Sequence, residues 1–133
     1  MKTGIFLTAI LLMGLASCKK SVTSKAPATL SELEGYWYGT FSAGNEGQVF
    51  KSTGATIQYD FYGTSSTDTA TAPYKGTGTF TLRNDSIFFN LSYPAPNNET
   101  FTEKAMINTS VAPCTITGTY TGSRSGSFSL TKQ

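Results

Sequence analysis

The chain has 133 residues, 38% of them hydrophobic, 13% aromatic and only 14% charged, with ten Lys and Arg against eight Asp and Glu and no histidine. That length allows one domain, and the missing imidazole excludes a Ser/His/Asp or Cys/His nucleophile, a His-ligated metal and an imidazole pH switch. A formal net charge of +2 is too small for the concentrated basic face that a phosphate backbone requires, so nucleic acid is not an expected partner.

Residues 1–17 read as a signal sequence. Lys2 provides a positive start, and Ile5 to Leu15 is apolar but shorter than the roughly 20 residues needed to span a bilayer. The segment ends in Leu15-Ala16-Ser17-Cys18, which resembles the lipobox of bacterial lipoproteins. The resemblance implies cleavage before Cys18, lipidation of its thiol and attachment to a membrane through acyl chains. The expected location is the cell envelope. Lys19 differs from the aspartate that retains some lipoproteins in the inner membrane, so the outer membrane is the expected site. With Cys18 taken by lipid, Cys114 has no intramolecular partner and reads as a small hydrophobe opening a strand.

Residues 18–30 form the lipidated cysteine and a flexible tether, and residues 31–133 the folded domain. Ser31 and Glu34 stand at the spacing of a capping box and Gly35 follows, which predicts a short helical turn. Beyond Gly35 the apolar period is two. Tyr36 to Phe41 is a strand; Gln48 to Lys51 and Ala55 to Tyr62 are one long or two broken strands. In the latter, Ile57, Tyr59 and Phe61 share one face and Thr56, Gln58 and Asp60 the other. Gly63 to Pro73 is a loop. Tyr74 to Arg83 and Ser86 to Tyr93 flank a tight turn at Asn84-Asp85. Pro94 to Asn98 is a second loop. Phe101 to Ile107, with Phe101, Ala105 and Ile107 on one face, Thr115 to Thr121 and Ser127 to Lys132 complete the chain.

Seven or eight antiparallel strands with 22 Thr and 15 Ser in the sequence predict an all-β fold. Its apolar faces are buried either by closure into an up-and-down barrel or in a small β-sandwich. Gly76, Gly78, Gly118 and Gly122 fall on the expected inward face, where absent side chains let strands coil. The barrel is therefore the preferred architecture.

Leu33-Glu34-Gly35-Tyr36-Trp37 resembles the Gly-x-Trp segment that opens the barrel in the calycin superfamily, which includes the lipocalins. The likeness to small lipocalin-like lipoproteins, common in Bacteroidota, extends to position, length and strand count. It implies a structural role for Gly35 and for Trp37, packed across a closed end against a cation from the end of the chain. Arg124 and Lys132 are the candidates for that cation.

No catalytic constellation is expected. The carboxylates Glu99 and Glu103, and Asp60 and Asp68, lack the apolar surroundings that raise a pKa for acid catalysis. No metal site and no cofactor are expected either. The aromatic residues serve as core or as the walls of a cavity, with Tyr59, Phe61, Phe89 and Tyr120 the candidate lining. Two functions follow. One is a non-enzymatic module holding a small apolar or amphipathic ligand in a cavity on the order of 300 Å³ or more. The other is an interaction or inhibitor-type lipoprotein with a solid barrel, which engages an envelope or exogenous protein through the loops at Gly63 to Pro73 and Pro94 to Asn98.

Overall fold

The computed structural model describes residues 25–60 and 74–133. The signal sequence, Cys18, Phe61 and the loop at 63–73 lie outside the described residues. A short helix, α1 (Leu30–Leu33), leads into eight strands: β1 (Gly35–Phe41), β2 (Gly44–Phe50), β3 (Ala55–Asp60), β4 (Tyr74–Arg83), β5 (Ser86–Ser92), β6 (Thr100–Asn108), β7 (Thr115–Gly122) and β8 (Gly126–Lys132). Each strand pairs antiparallel with the next, and β8 returns to β1, giving a closed up-and-down barrel. The fold class expected from the alternating pattern is the one observed, and the sandwich is excluded by the β1–β8 seam. In that seam Trp37 pairs with Lys132 and Phe41 with Phe128.

The helix differs from expectation by two residues. Its capping box is Thr29 with Glu32, not Ser31 with Glu34. Glu32 Oε2 accepts from the Thr29 backbone N–H at 2.7 Å, and Thr29 Oγ1 accepts from the Glu32 N–H at 3.3 Å. Starting the turn at Thr29 sets Leu33, which is fully buried, over the mouth of the barrel. The reciprocal bonds hold Glu32 below the ordinary glutamate pKa, the backbone bond from Thr29 being the largest cause and the Thr29 hydroxyl the next. The domain also begins before residue 31. Ala28 is buried, and its N–H donates to Asp85 Oδ1 at 2.8 Å. Gly35 follows the helix at φ 121°, a conformation that side chains with a Cβ rarely adopt.

Inside, aromatic rings form a continuous column. Trp37 meets Phe50 edge-on at 6.3 Å, Phe50 meets Phe89 at 5.4 Å, and Phe89 meets Phe128 at 6.4 Å. Phe128 stacks on Phe41 at 4.7 Å, Phe41 meets Tyr120 at 5.8 Å, and Phe101 bridges Tyr120 to Tyr93. Of the glycines expected to face inward, Gly76 is buried and Gly78 and Gly118 are half-buried, whereas Gly122, at the end of β7, is exposed. Gly118 pairs with Ala105 and with Phe128, and a Cβ there would stand 2.8 Å from the Ala105 Cα. The barrel wall is drawn in at that point, and the space a larger residue would need is already backbone.

One strand is oriented opposite to expectation. The face of β3 turned inward is Thr56 and Gln58, with 0% and 4% exposure, while Tyr59, itself only 5% exposed, is on the opposite face. The register explains this. Gln48 pairs with Trp37 on one side and with Gln58 on the other, so the polar face of β3 continues the inward layer of β2. There Gln48 Nε2 donates to Thr56 Oγ1 at 3.3 Å, and Gln58 Nε2 donates to Glu46 Oε2. These mutual bonds offset the cost of turning amides and a carboxylate inward.

Candidate functional site

The two ends of the barrel are built from different chemistry. At the α1 end, the Trp37 Nε1–H donates to the Leu33 carbonyl at 2.7 Å, and the ring is fully buried. Lys132 lies over the ring at 5.8 Å and donates to the Glu32 carbonyl at 2.5 Å. Lys132 is thus the cation on Trp37. Arg124 is not, because the β7–β8 turn that carries it is at the opposite end of the barrel.

That opposite end, with the turn between β1 and β2, the 94–99 loop and the β7–β8 turn, holds a cavity of about 10 Å³. This is room for one water molecule. Beside the exposed Arg124, three buried polar side chains line it: Glu46 from β2, Gln58 from β3 and Glu103 from β6. They are 7%, 4% and 2% exposed. Phe41, Tyr93, Phe101 and Tyr120 supply the ring walls. Gln58 donates one N–H of its amide to Glu46, which fixes the orientation of the carboxamide, and its Oε1 is buried with no hydrogen-bond partner. Arg124 is at the rim. Its Nη2 bonds Glu99 Oε2 at 2.9 Å, and its guanidinium lies 5.7 Å from the Phe101 ring centroid.

Of the four aromatic residues expected to line a cavity, Tyr120 does so. Phe89 is fully buried in the ring column, among Phe50, Phe80 and Phe128. Tyr59 is on the outer wall, beneath the Lys75 ammonium at 5.5 Å, because its strand presents its polar face inward. Phe61 lies outside the described residues, as does the lipidation candidate Cys18. Cys114 is half-buried against the core just before β7.

Glu46, Gln58 and Glu103 were not expected at a site. For Glu103 the signal was present, since residue parity puts it on the same face as Phe101, Ala105 and Ile107. Glu46 had none, because Gly44-Asn45-Glu46-Gly47 shows no apolar alternation. Among the described residues, no three His, Cys, Asp or Glu side chains come together as metal ligands. No protein-family model, no curated protein and no solved structure matches this chain.

Proposed function

We propose that the protein is a lipid-anchored lipoprotein of the outer membrane with a lipocalin-like barrel, a binding protein rather than an enzyme, which recognises its target at the loop end. The observation that carries this reading is the filled interior among the described residues. A ring column runs from Trp37 to Tyr93, and the cavity beneath the loops has room for one water molecule. A ligand of fatty-acid or retinoid size needs a calyx of several hundred Å³. Of the two functions open to such a barrel, a solid scaffold presenting loops fits that interior better than a carrier of apolar molecules.

The anchor gives the scaffold a direction. Lys25 and Ala28 are held by Asp85 at the α1 end, and Cys18 precedes Lys25 by a stretch that reaches at most roughly 25 Å. Lipid on Cys18 therefore tethers the sealed end to the membrane and turns the loop end away from it.

Two measurements test the proposal. Cys18→Ser is expected to move the protein from the detergent phase to the aqueous phase, and equal partitioning of wild type and variant would remove the anchor. For the scaffold, cis-parinaric acid should show no enhanced fluorescence with the wild type. Gly118→Leu should melt lower, by an amount corresponding to about 1–3 kcal/mol. Probe uptake by the wild type that disappears in a normally stable Gly118→Leu would overturn the reading in favour of an apolar-ligand carrier.

A further inference from the structure

We infer that the loop-end cavity is a binding site for a primary ammonium group, R–NH3+, which enters head first with its alkyl chain leaving between the rings. This rests on the loop-end reading above and specifies the chemistry recognised there. Three features of the cavity select that head group.

The first is the set of acceptors. Two carboxylates and one carboxamide, Glu46, Glu103 and Gln58, line the same small space. All are more than nine-tenths buried. Flipping the amide of Gln58 would give up its bond to Glu46, so that bond keeps Oε1 in its place. Its Oε1, which has no partner in the protein, is an acceptor in want of a donor, and a buried acceptor left in that state is costly. An ammonium carries N–H donors and no acceptor, so it can supply the donor that Gln58 Oε1 lacks while its charge faces the two carboxylates.

The second is size. A space of about 10 Å³ accepts a group no larger than water, and –NH3+ is such a group. A trimethylammonium or a planar guanidinium is too large without rearrangement of the wall. The third is the surround. Phe41, Tyr93, Phe101 and Tyr120 place ring faces and edges about the cavity, a setting that favours a desolvated cation and the methylenes behind it. Arg124 does not fill the role itself, since Glu99 and Phe101 hold its guanidinium at the rim.

A free alkylamine and a lysine side chain of a protein partner present the same head group. Calorimetric titration of the full chain with n-butylamine and with Nα-acetyl-lysine-N-methylamide distinguishes the two sources. Tetramethylammonium and n-butanol serve as controls of charge without donors and of chain without charge. At least one of the two primary amines is expected to bind about tenfold or more tightly than either control, the scale of a lost hydrogen bond to a charged group. Glu103→Gln should abolish that preference. Gln58→Met, which keeps the length and removes the acceptor, should reduce it.

The wild-type selectivity series decides the question even if Glu103→Gln fails to fold. No binding of either amine, or equal binding of amine and tetramethylammonium, overturns the inference. Such a failure leaves the loop-end scaffold standing as long as cis-parinaric acid remains excluded. Uptake of that probe would remove the scaffold reading instead.

Discussion

The two ends of this barrel solve the problem of closure in opposite ways. At the α1 end the groups that close the barrel are paired within the fold: the indole N–H goes to Leu33, and the Lys132 ammonium goes to Glu32 and to the indole face. At the loop end two carboxylates and an amide are drawn inside, around a space for one water, and an amide oxygen is left over. The first arrangement is what stability alone favours. The second costs stability, and natural proteins keep such costs where something binds.

Perturbing each end should make the contrast measurable. The largest effect is expected from Trp37→Ala, which removes the ring joining Leu33, Phe50 and Lys132 and should cost about 3–5 kcal/mol in chemical denaturation followed by circular dichroism. A loss below about 1 kcal/mol would mean that the sealed end is not what holds the barrel. Lys132→Met keeps most of the aliphatic stem while removing the charge on the indole and the bond to the Glu32 carbonyl. It should cost about 1–2 kcal/mol.

Going from the sealed end toward the polar layer, the sign should change. Gln48 is fully buried with an unpartnered Oε1, so Gln48→Met is expected to lie within about 1 kcal/mol of wild type, on the neutral or stabilising side. A strong loss of stability would show the β2–β3 polar layer to be structural, not a functional expense. The smallest effect concerns Glu32. Its folded-state pKa is lowered by the Thr29 bonds. The charged capping box therefore contributes above the unfolded pKa, and that contribution is lost as pH falls through the lowered folded value. Acid titration of Glu32→Gln beside wild type should show a slightly shallower loss of stability in the variant over that window. Identical curves would assign the cap no charge-dependent role.

Alternation in the sequence was enough to find most strands and the Asn84-Asp85 turn, because period-two patterning and turn chemistry are local. It separated the two faces of β3 correctly but, in placing Tyr59 in the cavity lining, turned the wrong one inward. That choice depends on the neighbour: Gln48 and Glu46 on β2 give Thr56 and Gln58 their partners, and the register that brings them together is a tertiary fact. The first half of β2 was hidden by its composition, since Gly44 to Gly47 has no side-chain pattern to read. Glu103 was hidden by expectation. It occupies an inward position by parity, yet a carboxylate between Phe101 and Ala105 does not look like core. The capping box was displaced because Thr29-x-x-Glu32 and Ser31-x-x-Glu34 are both well formed as strings, and only the placement of Leu33 over the barrel distinguishes them.

The β1–β8 seam also imposes an order of events on folding. Every other strand pairing joins neighbours in the chain and forms across a turn or loop, whereas this one brings Phe41 to Phe128 and Trp37 to Lys132. Closing a loop of roughly ninety residues carries an entropy cost about 2 kcal/mol above that of a ten-residue hairpin. The seam should therefore be the last pairing to form and the step that limits the rate. Until then the eight strands are an open sheet with two bare edges, β1 and β8. The Trp37–Lys132 pair, made only when the seam closes, is a ready marker for the moment at which the molecule becomes native.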